Sequence, residues 1–131
     1  AVAVVDLDEL TPETFVLRLA VRMEAIGNGD DASVHGIAQI TLGTAYSLRL
    51  AVGRKAGTVL EETTSGPGAP STSTARLTPG LEEDNSFREI EISVAIKSPS
   101  ATATVRIDNK AAASKQLVPP ASRGTIGIVL G

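Results

Sequence analysis

The sequence predicts an all-β fold: one domain over residues 1–131, built as a two-sheet antiparallel β-sandwich (jelly roll) with about eight strands and little or no helix. Three observations support this prediction. Apolar and polar residues alternate with a period of two in several segments. Residues that favour turns separate those segments. The length of 131 residues is typical of one domain and leaves little room for a second.

The strongest alternation covers residues 15–23. Its odd-numbered residues are apolar, whereas Arg18 and Arg22 occupy intervening positions. On a helix the apolar residues would be scattered around the axis, but on a strand they all face one side. The same pattern predicts strands at residues 46–52, 90–96, 105–107 and 126–130, and a weaker form predicts strands at residues 2–7, 34–42 and 58–62.

The segments between the predicted strands carry residues that favour turns. Such residues occur at 27–31, 53–57, 98–100 and 108–110. Residues 65–80 are rich in Ser, Thr, Pro and Gly, and we interpret them as a long loop or irregular sheet edge rather than a linker between domains. Thr11, Pro12 and Glu13 resemble a helix start, but the alternation from Phe15 onward outweighs it. We therefore predict little or no helix.

The composition excludes several classes of function. The net charge of −3 provides no global positive field to hold phosphates, so nucleic acid is not an expected partner. Cysteine is absent, which excludes thiol nucleophiles, zinc–thiolate sites and disulfides. No apolar run reaches the roughly 18 residues that a membrane helix needs, so membrane insertion is not expected.

Aromatic residues make up only 2% of the chain, namely Phe15, Tyr46 and Phe87, with no Trp. Aromatic rings supply much of the contact area in sugar-binding sites and in the hot spots of protein interfaces. A binding site built on aromatic rings would have only these three side chains to use. The core must therefore consist mainly of Val, Ile, Leu and Ala.

Four segments together suggest a family. They are the runs at residues 46–52 and 87–94, the short hairpin at 105–110 and the closing strand at 124–128. Their order and shape resemble a laminin-G-like, concanavalin A-type jelly-roll domain, over roughly residues 15–131. The sequence lacks the Trp and His common in that family's second segment, and it is short for the family. The resemblance implies a ligand-binding or adhesive module rather than a catalyst, and it carries over no site residue.

Two acidic loops could supply the oxygen ligands that calcium requires. Calcium takes six to eight oxygens, and clustered loop carboxylates are a common way to provide them. Asp30 and Asp31, with Asn28, lie in the first loop, and Asp84 lies in the second between Glu83 and Asn85. We therefore predict Asp30, Asp31 and Asp84 as calcium ligands. Solvated turns explain the same residues equally well.

The pattern G-x-G-x-x-A at residues 27–32 also matches a dinucleotide-binding loop. That loop works only where a strand passes into a helix whose N-terminus receives the pyrophosphate. Residues 34–40 do not have the pattern of an amphipathic helix, and two acids lie in the loop. We therefore interpret these residues as a β-turn.

No catalytic residues are predicted. His35 is the only histidine, and no motif frames a nucleophilic serine beside it, so we interpret it as an ordinary strand residue. Glu89 and Glu91 share one face of a predicted strand, as do Asp6 and Asp8. These pairs lie opposite the apolar positions and so face solvent or a neighbouring subunit, unlike the paired acids of a glycosidase cleft. The chain is not expected to be an enzyme.

Three arginines occupy the outward faces of two predicted strands: Arg18, Arg22 and Arg49. If the two strands are neighbours, these arginines form a basic stripe that could meet Glu89 and Glu91 across a sheet or a subunit interface. Isolated surface pairs are the alternative, each contributing only about 0–1 kcal/mol.

Two functions are compatible with these observations. The first is a structural or display module of a larger assembly, such as a virion, tail fibre or surface appendage, whose partners are other copies of itself or neighbouring assembly proteins. Strands without helical cover leave edges that symmetric assembly would protect. The second is a lectin-like module that binds surface glycan, with or without calcium. Either function places the protein on a virion or on an extracellular surface.

Overall fold

A computed structural model describes residues 14–23, 34–42, 46–65, 70–82, 84–97, 100–117 and 126–130. Within these ranges the chain forms nine strands and no helix. The strands are β1 (Thr14–Arg22), β2 (Val34–Leu42), β3 (Tyr46–Gly53), β4 (Gly57–Thr64), β5 (Ser71–Arg76), β6 (Phe87–Lys97), β7 (Ser100–Ile107), β8 (Lys110–Leu117) and β9 (Ile126–Leu130). None of the described segments is a helix that could cross a membrane.

The strands form two antiparallel sheets, which confirms the predicted sandwich. The four-stranded sheet has the order β1-β6-β7-β8, and the five-stranded sheet has the order β5-β4-β3-β2-β9. Two meanders, β2 to β5 and β6 to β8, provide most of the pairing. The strands β1 and β9 each join a sheet beside a strand that is distant in the sequence.

The core lies between the two sheets, because period-two alternation places the apolar side chains of each strand on the face that points inward. Inward-facing residues of the five-stranded sheet, such as Leu48, Leu50 and Leu60, are buried against Ile92 and Val105 of the four-stranded sheet. Burial of a large apolar side chain contributes roughly 1.5–3 kcal/mol. The aliphatic core predicted from the composition is therefore observed.

Turn chemistry fixes the register of two hairpins. Asp108 and Asn109 both have positive φ, at 50° and 65°, as a two-residue type I′ turn between β7 and β8 requires. Gly57 has φ of 72° and follows the three-residue turn 54–56 between β3 and β4. A residue with a Cβ would be strained in that conformation. Both turns fall within segments that the sequence predicts as turns.

Two strands were not predicted. Residues 65–80 contain β5, which pairs with β4 at the edge of the five-stranded sheet, so they are not simply a loop. Its sequence, STSTAR, has no apolar alternation because most of its side chains are exposed. The strand β8 contains only small and polar residues before Leu117, so it also lacks the apolar alternation that predicts a strand. The strand predicted at residues 2–7 lies outside the described residues.

One side of the sandwich is closed by the segment that follows β5. The amide of Leu77 donates to the carbonyl of Thr58 at 2.8 Å, and the amide of Thr78 donates to the carbonyl of Ala112 at 2.9 Å. This segment therefore joins the edge of the five-stranded sheet to β8 of the other sheet. On the opposite side lie β1 and β9, each of which pairs with a single strand in the described part of the chain.

Candidate functional site

The outer face of the four-stranded sheet carries side chains in rows that cross the strands. Residues directly opposite one another in antiparallel strands are close enough to interact. One row runs Arg18, Glu91, Arg106, with alternating charge, and Arg18 Nε donates to Glu91 Oε2 at 2.9 Å. The next row is Val16, Ser93, Thr104 and Ser114.

Two large apolar side chains are exposed in the described part of the chain, and both belong to this outer face. Val16 is 46% exposed and Phe87 is 67% exposed. Phe87 lies opposite Arg22, whose guanidinium carbon is 5.4 Å from the ring centroid, a cation–π arrangement. Both apolar side chains therefore lie among charged and polar residues of the same face.

The predicted basic stripe of Arg18, Arg22 and Arg49 does not form, because the strands that carry them belong to different sheets. Arg18 and Arg22 lie on β1, whereas Arg49 lies on β3. Arg49 Nη2 binds both carboxylate oxygens of Glu61, at 3.0 and 3.2 Å. The predicted meeting of an outward arginine with Glu91 does occur, within one sheet rather than across an interface.

A second candidate region is the end of the sandwich where β6 begins and β7 ends. Arg88 is on the same side of β6 as the inward-facing residues Ile90 and Ile92. It lies at the end of the sandwich, beyond the core. Its guanidinium binds Asp84 and also Asp108 Oδ2, the latter at 3.2 Å. One arginine therefore connects the segment before β6 to the β7–β8 turn.

The carboxylates of this charged end accept several hydrogen bonds, and these bonds favour their ionised forms. Hydrogen bonds from Ser86, with Arg88 nearby, hold the pKa of Asp84 below its ordinary value. The backbone amide of Glu89, together with Arg88, lowers the pKa of Asp108. The hydrogen bonds to Asp108 and Asp84 raise the pKa of Arg88.

A shallow cleft of about 220 Å³ opens at the same end. It is lined by Pro79, Gly80, Glu82, Arg88, Ile107, Asp108 and Lys110. The lining alternates in charge and offers both hydrogen-bond donors and acceptors. This arrangement can hold a small polar group, but it brings no nucleophile next to a general base.

Asp84, one of the predicted calcium ligands, has both of its oxygens engaged by the protein. Oδ1 accepts from the amide of Ser86 at 3.1 Å, and Oδ2 accepts from Arg88. Asp30 and Asp31 lie outside the described residues. Within the described ranges no group of three or more Asp, Glu or His side chains could hold a metal ion. The calcium site remains a prediction.

His35 lies in β2, as expected for a strand residue, and its side chain is exposed. It is opposite Val52 of β3, at the start of β2. Glu89 is exposed, and Glu91 is bound by Arg18. These two acids face outward, so the described residues do not place them in a cleft.

Sequence reasoning missed a polar cluster inside the sandwich. Glu62 is only 4% exposed, and its Oε2 accepts a 2.6 Å hydrogen bond from the hydroxyl of Tyr46, while Ser73 Oγ donates to Oε1 at 3.3 Å. Burial raises the pKa of Tyr46, and the hydrogen bond to Glu62 and its negative charge raise it further. The sequence did indicate that Glu62 could be buried, because Thr58, Leu60 and Glu62 share one face of a predicted strand.

Among the residues that the structure describes, the outer face of the four-stranded sheet and the charged end are the regions we consider for contact with a ligand or partner. Comparison with known proteins finds no matching family model and no matching curated protein.

Proposed function

We propose that this protein is a non-enzymatic structural module that acts through protein–protein contacts in a larger assembly. The observation that carries the proposal is the outer face of the four-stranded sheet, where Val16 and Phe87 are exposed on either side of a row of alternating charge. Aromatic residues and arginine are enriched at protein interfaces, and this face presents Phe87 beside Arg22. In this proposal the larger assembly is a virion, a tail fibre or a surface appendage.

Self-association of the full chain tests this proposal. Sedimentation velocity over roughly two decades of protein concentration should show a dimer or a larger species. The substitution Val16→Glu should weaken that association, because it replaces an exposed apolar side chain of the contact face with a negative charge. Thr72→Glu adds the same charge to an exposed position of β5 and should leave association unchanged. A strict monomer at every concentration would overturn the proposal.

The cleft at the charged end supports a second candidate, a lectin-like module that binds surface glycan. Arg88, Asp108 and Lys110 offer the donors and acceptors that hydrogen-bonded sugar recognition needs in a site poor in aromatic rings. Calcium bound to Asp30 and Asp31 would assist such recognition. A glycan array without signal, together with a melting temperature that EDTA does not change, would remove this candidate.

A further inference from the structure

The cleft at the charged end has two walls that hydrogen bonds hold in place. The first wall is the segment that follows β5, where the amide of Leu81 donates to Thr58 Oγ1 at 2.8 Å. A Cβ on Gly80 would lie 2.9 Å from the same oxygen, so this segment packs closely on β4. The second wall is the β7–β8 turn, where the amide of Asp108 donates to the carbonyl of Glu89 at 2.8 Å and the amide of Glu89 donates to Asp108 Oδ1 at 3.0 Å. Ligand pockets are usually formed before the ligand arrives, and these bonds give the cleft that property.

Two side chains of opposite charge line this cleft without binding each other. Glu82 lies on the first wall and Lys110 on the second, and both are exposed. Neither makes a hydrogen bond or an ion pair with another residue that the structure describes. Lys110 acts on Asp108 only through its charge. The cleft therefore has one unpaired carboxylate on one wall and one unpaired ammonium group on the other.

The ion pair of Arg88 with Asp108 lines the same cleft. The side chains are 32% and 43% exposed, so both are accessible to a ligand. The bonds of Arg88 to Asp108 and Asp84 use its two terminal nitrogens and hold the guanidinium in place. A guanidinium has more N–H groups than these two bonds require, and a carboxylate can accept more than two hydrogen bonds. Both members of the pair can therefore bind a further group.

The four charged side chains of the lining sum to zero, which restricts the ligands that fit. A purely anionic ligand would be attracted by Arg88 and Lys110 but repelled by the two carboxylates, and a cation would meet the reverse. A neutral ligand would displace water from Glu82 and Lys110 without supplying an opposite charge. A ligand that carries both charges compensates both walls.

We propose that this cleft binds a small zwitterion, a free amino acid with one ammonium and one carboxylate group. The ligand carboxylate accepts hydrogen bonds from Lys110 and Arg88, and the ligand ammonium group donates to Glu82 and Asp108. The cleft volume of about 220 Å³ is below the roughly 300–1,000 Å³ of pockets for drug-sized molecules, as expected for so small a ligand. The inference goes beyond the proposed function, because it concerns a small molecule rather than an assembly partner.

Titration of the full chain, followed by amide NMR signals, tests the proposal. The probes are the unbranched amino acids from glycine to 6-aminohexanoate, in which the two charges lie progressively further apart. Each has two matched analogues: the N-acetyl form lacks the ammonium charge, and the amide form lacks the carboxylate charge. At least one zwitterion should shift the signals of Gly80 and Lys110 and bind about fivefold more tightly than both of its analogues.

Two substitutions test the assigned roles with the zwitterion that binds most tightly. Lys110→Gln removes a partner of the ligand carboxylate and should weaken binding about fivefold. Glu82→Gln should weaken binding of the zwitterion but not of its N-acetyl analogue, because only the zwitterion has an ammonium group for Glu82 to bind. Lys55→Gln, in the β3–β4 turn, and Glu89→Gln, on the outer face of the four-stranded sheet, remove the same charges elsewhere and should leave affinity unchanged.

Three outcomes would each overturn the proposal. Equal binding of a zwitterion and its N-acetyl analogue to the wild type would show a site for anions only. The absence of signal shifts with every zwitterion would show that the cleft takes no ligand of this class. Glucose that shifts the same signals when the zwitterions do not would assign the cleft to glycan, the second candidate above. None of these results affects the proposed assembly function, because sedimentation velocity tests it separately.

Discussion

The two sheets of this sandwich differ in which side chains they bury and which they expose. The two buried polar residues of the described chain, Thr58 and Glu62, both lie on β4 of the five-stranded sheet, and Tyr46 beside them donates to Glu62. The four-stranded sheet buries only apolar side chains but exposes Val16 and Phe87 on its outer face. On the outer face of the five-stranded sheet, by contrast, Ala51 and Val59 are buried. In the described chain the buried polar side chains therefore belong to the five-stranded sheet, and the exposed large apolar ones belong to the four-stranded sheet.

The largest effect should come from the purely apolar side of the core. Ile92 is 1% exposed and lies between Leu17 and Val105 in the four-stranded sheet. Ile92→Ala should lower the free energy of unfolding by about 2–5 kcal/mol, because it removes buried methyl groups and leaves a cavity. Urea denaturation measures the loss. Ser93→Ala, on the outer face of the same strand, should change stability by less than about 0.5 kcal/mol.

The polar cluster of the five-stranded sheet should give the next largest effect. Tyr46→Phe removes the 2.6 Å hydrogen bond to the buried Glu62 carboxylate and should cost about 1–3 kcal/mol at neutral pH. Thr63→Val removes a hydroxyl from the exposed Thr63–Thr72 pair and serves as the control. A loss of similar size in both variants would contradict the distinction between interior and surface.

The same tyrosine should make stability depend on alkaline pH. The pKa of Tyr46 is raised in the folded protein, so its stabilising contribution is complete below the unfolded pKa of about 10. Above that pH the unfolded chain ionises first, and stability should fall as pH rises, by up to about 1.4 kcal/mol per pH unit. Tyr46 is the only tyrosine, so Tyr46→Phe should remove this part of the slope in denaturation measured between neutral and alkaline pH.

A close approach in the five-stranded sheet should give a smaller effect. A Cβ on Gly127 would lie 2.5 Å from Thr41 Oγ1, so Gly127→Ala should cost about 1 kcal/mol, at the low end for overpacking. Gly36→Ala is the matched control, because its Cβ would lie 3.4 Å from Arg49 Cδ, near ordinary contact with a flexible side chain. Thermal unfolding compares the two. Adding Thr41→Ala should restore most of the loss at Gly127.

The smallest effects concern two outward Arg–Glu pairs of the described chain, one on each sheet. The Arg18 side chain is 66% exposed and makes one hydrogen bond to Glu91, whereas the Arg49 side chain is 35% exposed and makes two to Glu61. Double-mutant cycles should give a coupling energy below about 0.5 kcal/mol for the first pair and about 0.5–1 kcal/mol for the second. Equal coupling energies would show that exposure does not separate the two pairs.

The sequence predicted the parts of the fold that depend on apolar alternation. Leu17 to Val21, Leu48 to Val52 and Ile90 to Ile96 all form strands because one face of each is buried. The strand β5 has no apolar face, and β8 has too little of one, so pairing with neighbouring strands rather than local pattern determines their structure. A single sequence does not show which strands become neighbours.

The candidate site was less predictable for the same reason. Asp84 was identified as a carboxylate in a loop, but its partner Arg88 and the second carboxylate, Asp108, meet only through the arrangement of β6 and β7. Arg18 and Arg49 have similar local patterns, yet they belong to different sheets. The sequence showed which side chains face outward, and the topology determined which of them interact.

The placement of β1 beside β6 has a consequence for how the chain folds. Strands β2 to β5 can pair one after another as they are made, and so can β6 to β8, because each follows its partner closely. The strand β1 is made before all of them, but its partner appears only after four other strands have been completed. Pairs distant in the sequence form late, because the intervening chain must first be brought together. We therefore expect the pairing of β1 with β6 to form later than either meander.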